Sequence, residues 1–134
     1  MSDPVYILIR TSNRPKYFEN LMQSIREQTY ENIITVVHSD DPSDEYVTGD
    51  IIIRSERPPR TLGTAPYNLY NNKLLQSIPD GDGWYHFIDD DDIYASPEVI
   101  ERLVRESKRE CINIARVMRW HGTIWPRKWG NQNS

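Results

Sequence analysis

The sequence predicts an α/β fold, a three-layer sandwich around a mostly parallel central sheet, and three observations predict it. Short β-rich apolar runs (Val5–Ile9, Ile33–Val37, Ile51–Ile53 and Trp84–Ile88) alternate with stretches whose apolar residues recur at helical spacing. That alternation produces βαβ units with right-handed crossovers. The first run, Val5–Ile9, is unbroken, as in a strand covered on both faces. Each of the four runs also passes directly into polar residues.

In chain order, Val5–Ile9 is the first strand, and Ser12-Asn-Arg-Pro15 breaks it. Phe18, Leu21, Met22 and Ile25 mark one face of a helix ending near Gln28-Thr29. Ile33–Val37 is a second strand leading into His38–Pro42, and Asp50–Arg54 a third. Ser55–Pro66 is a proline-rich loop. Tyr67, Tyr70, Leu74 and Ile78 then line a helix face, with Asn68 and Asn72 on another, and Pro79–Gly83 ends it. Trp84–Ile88 is a fourth strand that runs into Asp89–Asp92. Ser96 as N-cap and Pro97 at the first helical position open a third helix, with Ile100, Leu103 and Val104 as its buried stripe. Cys111–Val117 reads as a fifth strand, with Cys111 a small core residue.

At 134 residues this is one domain, placed at 1–118, with a tail at 119–134. The tail carries Trp120, Trp125 and Trp129, apolar surface suited to a further acceptor-side segment, a partner chain or a sugar. With 37% hydrophobic and 27% charged residues, the composition is that of a soluble globular protein. No apolar run reaches the roughly 18 residues of a transmembrane segment. There is no secretory leader pattern, and one cysteine suits a reducing compartment, so a cytoplasmic location is expected. A net charge of −4 argues against nucleic acid as a partner.

In an open parallel sheet, ligands bind beyond the carboxyl ends of the strands, where strand order reverses. The four ends here are Arg10-Thr11, His38–Asp41, Arg54 and Asp89–Asp92, so two acidic clusters should share one edge. Crowded carboxylates repel one another unless a cation is present, and hard oxygen ligands suit Mn²⁺ or Mg²⁺. An acidic solvated turn is the plainer reading of four aspartates, and an Asx turn that of Asp40-Asp41. Asn68 and Asn72 either donate into the site or belong to a solvated face. His86 alternates with Trp84 and Ile88 and reads as packed. The basic, prolyl segment Arg54–Arg60 either holds a diphosphate or is a solvated loop. No glycine-rich dinucleotide fingerprint, Walker A loop or nucleophile elbow is present.

The residues resemble a family. Val5-Tyr-Ile-Leu-Ile-Arg-Thr-Ser-Asn-Arg-Pro15, Phe18, Leu21, Ser24-Ile25, Gln28-Thr29-Tyr30 and Val36–Asp41 look like the opening of inverting family-2 glycosyltransferases. Phe87–Asp92 followed by Ser96-Pro97 looks like their Asp-x-Asp motif, and the resemblance covers about residues 4–105. It implies a GT-A fold holding a nucleoside-diphosphate sugar, a UDP-sugar favoured, for transfer to a glycan or other hydroxyl acceptor. Thr11, Asp40 and Asp41 would meet the base, with Asn68 or Asn72 nearby. Asp89 would face the ribose or sugar beside Asp90, and Asp91 with Asp92 would hold Mn²⁺ or Mg²⁺. The sequence departs from the family at His38, where an acidic residue is usual, and family members ordinarily continue well past this length. No catalytic base is legible; with no Asp or Glu after Glu110, His121 is the titratable candidate in the tail. The rival functions are a donor-binding fragment that transfers nothing and an aspartate-based, metal-dependent phosphohydrolase.

Overall fold

The structure, a computed structural model, describes residues 3–57, 67–113, 115, 117–118 and 122–125, without the side chains of residues 67, 68, 117 and 125. Among these described residues nine elements follow in order: β1 (Val5–Thr11), α1 (Pro15–Arg26), β2 (Ile33–Ser39), β3 (Ile51–Arg54), α2 (Tyr67–Gln76), β4 (Trp84–Asp89), α3 (Val99–Glu106), β5 (Val117–Met118) and β6 (Ile124–Trp125). The chain divides into two compact units, Met1–Glu101 and Arg102–Ser134. No helix among the described residues is long and apolar enough to cross a membrane.

The first unit is the predicted α/β layer structure. Its four strands lie in the order β3-β2-β1-β4, and every pairing is parallel. Side chains alternate across the sheet. On one face Tyr6, Leu8 and Val36 form a core with Leu74 of α2, flanked by Ile34, Ile51, Ile53 and Ile78. The opposite face carries Ile7, Ile9 and Val37, all fully buried. From that face His86 Nδ1 pairs with the Tyr94 hydroxyl at 2.6 Å, and the Tyr94 amide donates to Ser24 Oγ on α1 at 3.2 Å. The cover here is therefore α1, with the segment after β4, and the buried stripe of α1 is the predicted Phe18, Leu21, Met22 and Ile25. His86 is packed, as its strand position implies.

Two expectations are corrected. The third helix begins at Val99, not Pro97. The groups that would open an earlier turn are engaged: the Ile100 amide, which would donate to Ser96 O, bonds Gln28 Oε1 at 3.0 Å, and Ser96 O and Pro97 O accept from Gln28 Nε2 and the Thr29 amide, each at 2.8 Å. In the second unit, the described residues of the expected fifth strand Cys111–Val117 other than Val117 are not in strand conformation. Glu110 adopts a left-handed φ of 61°, and the Asn113 side chain closes a turn on the Lys108 amide (3.1 Å) and carbonyl (3.0 Å). Side-chain bonding of this kind competes with ladder formation. Among the described residues of this unit, strand structure is found at Val117–Met118, antiparallel to Ile124–Trp125, and Cys111 is exposed.

Burial lowers the His86 pKa below the ordinary histidine range. The unfolded chain then takes up a proton that the folded chain refuses, so His86 costs stability as pH falls through the ordinary range toward the folded value. Urea unfolding at about pH 7.5 and about pH 5.5 should show wild type losing more stability on acidification than His86→Gln, which can hydrogen-bond to Tyr94 without titrating. Equal losses would remove His86 as the cause.

Candidate functional site

Parallel pairing brings the carboxyl ends of all four strands to one edge of the first unit. From β1 the chain steps to β2 and β3, then returns to place β4 on the other side of β1. The reversal lies between β1 and β4, where Arg10 stands opposite Asp89 in register. Ligands of open α/β sheets enter at this point.

Thr11, the last residue of β1, is buried. Its Oγ1 donates to Asp90 Oδ2 at 2.9 Å and lies 2.7 Å from the Tyr46 hydroxyl. Tyr46 also accepts the Arg14 amide at 3.0 Å. Buried Asp44 supports this corner, its Oδ2 accepting from the Asn13 amide and Ser39 Oγ, each at 3.0 Å. Asn13 has a left-handed φ of 50°, a conformation asparagine tolerates better than most residues. The turn after β1 is thus fixed from two strand ends.

The aspartates divide by direction. Asp90 turns inward, where burial raises its pKa despite the Thr11 bond and the Arg14 guanidinium. Asp89, Asp91 and Asp92 are exposed, and one carboxylate oxygen from each lies within 4.8 Å of the others. The Asp92 pKa is raised by partial burial and by the charges of Asp91 and Asp89. Arg10 forms an ion pair with Asp89, and Arg14 Nη1 lies 3.4 Å from both Asp90 and Asp91.

Asp40, at the end of β2, is buried. Burial pushes its pKa up, but hydrogen bonds from Ser12, Arg57 and Tyr70 outweigh that and hold it below the usual carboxylate range. Its Oδ2 accepts from the Tyr70 hydroxyl at 2.8 Å and Arg57 Nε at 3.1 Å. Burial and Asp40 together push the Tyr70 hydroxyl up to about 12. Asp41 makes an Asx turn, accepting from the Ser43 amide (2.9 Å) and Oγ (2.6 Å). His38 stacks on Tyr70 at a centroid distance of 4.5 Å and pairs with Ser55 Oγ at 2.8 Å.

The edge therefore gathers Thr11, Asp40, Asp89, Asp90, Asp91 and Asp92. Tyr70 and Leu74 are the buried residues of α2, whereas Asn72 is exposed. The Asn68 side chain and His121 lie outside the described residues. Sequence reasoning gave no site role to Arg10, Arg14, Tyr46 or Tyr70, whereas Arg57 belongs to the basic segment Arg54–Arg60 named as a possible diphosphate holder. Of those four, only Arg10 carried a signal, since parallel strand ends place it level with Asp89.

No protein-family model and no curated protein sequence matches the chain. Among solved structures it is similar to TarS of S. aureus. One TarS structure, of residues 1–349, superposes with a TM-score of 0.55 at 20% identity, covering 76% of this chain and 31% of that one. Another TarS structure gives 0.54 at 19% identity, covering 76% and 19%. The chain thus spans less than a third of either, and it shares the α/β fold of the matched part of TarS.

Tyr46→Phe keeps the edge contact with Phe18 (5.5 Å between centroids) but leaves Thr11 and the Arg14 amide without the hydroxyl. The loss should be about 1–2 kcal/mol by urea unfolding. A change within error would show that water replaces the hydroxyl at no cost.

Proposed function

We propose that the chain is the nucleotide-sugar-binding part of a metal-dependent glycosyltransferase. Its donor would be a nucleoside-diphosphate sugar, a UDP-sugar favoured, and its acceptor a glycan or other hydroxyl compound. The observation that carries this reading is the convergence of Asp89, Asp91 and Asp92 at the β1–β4 crevice.

The donor set fits Mn²⁺ or Mg²⁺. Neighbouring oxygens held by one octahedral Mg²⁺ would lie about 3 Å apart. Carboxylates within 4.8 Å reach that spacing by small side-chain rotations. When bound, a divalent cation supplies charge neutralisation for a departing diphosphate. The chain's own residues do the rest of the positioning. Thr11 and Tyr46 hold Asp90 inward and leave its three neighbours facing solvent. At the base end, Asp40 Oδ1 lies 3.5 Å from Arg57 Nη2, and a carboxylate oxygen there could also accept an imide N–H.

Transfer also requires a base beside the acceptor hydroxyl. Glu101, on α3, already accepts from Thr29 Oγ1 at 2.9 Å. A donor-binding module that transfers nothing is therefore the second reading, and parallel assays of sugar transfer, free sugar release and phosphate release separate it from a transferase and from a phosphohydrolase.

Titration calorimetry with UDP in Mn²⁺ should give an affinity that EDTA, or Asp91→Ala, weakens at least about tenfold, or about 1.4 kcal/mol. Unchanged affinity in both cases would dismiss the metal. Uridine nucleotides should bind better than cytidine nucleotides, which lack the imide N–H, and Asp40→Ala should narrow the gap by about threefold or more. A preference unaltered by Asp40→Ala would assign Asp40 to anchoring Arg57 and Tyr70 alone.

A further inference from the structure

Four successive aspartates close β4, yet two arginines from the end of β1 and the turn after it already stand among them. Arg10 is fixed opposite Asp89 by the β1–β4 register, and its side chain is 23% exposed, against 50% for Arg14. On its other side Arg10 is level with His38 of β2. Its aliphatic stem therefore rises between two neighbouring strands, and its guanidinium meets Asp89 at the mouth of the crevice. Asp89 is also one of the three carboxylates that converge. The same side chain is thus engaged by a fixed cation and set toward a second cation position. Two guanidiniums among four carboxyl groups leave an excess of acid that a single divalent ion would balance.

We propose that Arg10 is an internal counter-ion that competes with the divalent cation for Asp89 and, once released, binds the anionic diphosphate of the donor. The inference rests on the metal-dependent reading and adds to it an order of events. Metal alone meets a site whose first carboxylate is engaged. Metal together with a nucleoside diphosphate gives Arg10 a better anion, because a guanidinium pairs with phosphate in the same forked geometry as with carboxylate. Metal and nucleotide therefore assist each other's binding through Arg10, and the coupling is reciprocal.

The test measures Mn²⁺ affinity, by the paramagnetic resonance of free Mn²⁺, and UDP affinity, by calorimetry, for wild type, Arg10→Met, Arg10→Gln and Arg10→Lys. Met and Gln preserve much of the stem and remove the charge, and circular dichroism identifies any variant that fails to fold. Without nucleotide, R10M and R10Q should bind Mn²⁺ about fivefold more tightly than wild type, while R10K stays close to it. At saturating Mn²⁺, R10M and R10Q should bind UDP about fivefold more weakly. Mn²⁺ affinity that stays level or falls in the neutral variants overturns the proposal, as does tightening in R10K equal to that in R10M. If wild type and the neutral variants all ignore Mn²⁺ whether or not UDP is present, the metal reading fails first and the counter-ion role with it.

Discussion

The parallel pairing of β1 with β2 on one side and β4 on the other is the constraint on which the site depends. Because both ladders run in the same direction, Thr11 reaches the edge level with Ser39, and Arg10 level with Asp89. No local sequence preference brings these residues together; register does, and two differently packed faces make register costly to slip. Ile7, Ile9 and Val37 on one face and Leu8 and Val36 on the other are all fully buried, so a one-residue shift would swap the two faces and break the packing of both. The apolar core thereby sets where the charges of the edge lie.

Two buried carboxylates on that edge are handled in opposite ways. Asp40 gathers enough donors, from Ser12, Arg57 and Tyr70, to stay ionised despite its burial. Its lowered pKa contributes stability above the ordinary carboxylate range, and that contribution is lost as pH falls through the folded value. Asp90 has the Thr11 hydroxyl and a distant guanidinium, and burial prevails. A raised carboxylate pKa works the other way: ionising Asp90 costs stability, and a proton restores it. Asp40 is thus a fixed negative charge at the β2 end. Asp90 serves chiefly as a hydrogen-bond acceptor turned away from solvent.

Much of this was legible in the sequence, for reasons that differ by element. The buried stripe of α1 follows from helical periodicity, because Phe18, Leu21, Met22 and Ile25 have no alternative face. The four strand ends follow from apolar runs stopped by polar residues. The Tyr46 and Asp44 corner was not legible. Both sit in a polar connection, and their partners Thr11, Asn13 and Ser39 belong to two other elements. Cys111–Val117 misled because its apolar residues fit a strand, while the turn chemistry of Glu110 and Asn113 prevailed locally. For the third helix, Ser96-Pro97 was good local start chemistry, but Gln28 and Thr29 claim the carbonyls there.

Those same contacts explain how the fold tolerates its acidic turn. The stretch from Asp89 to Ile100 is anchored at both ends and in the middle. Asp90 is tied to Thr11, Tyr94 to His86 and Ser24, and Ser96, Pro97 and Ile100 to Gln28 and Thr29. A free loop would relieve carboxylate repulsion by spreading apart. This one cannot spread far, because its anchors belong to the sheet and to α1. Repulsion is instead met by bringing cations to the carboxylates: the guanidiniums of Arg10 and Arg14, both from the end of β1. The Gln-Thr-Tyr element thus has a physical role at a distance from the aspartates. Gln28 and Thr29 hold the far end of their loop, and Tyr30 anchors the chain ahead of β1 through Asp3. A rigid loop that keeps Asp89, Asp91 and Asp92 facing solvent is what preorganised recognition of a charged ligand requires.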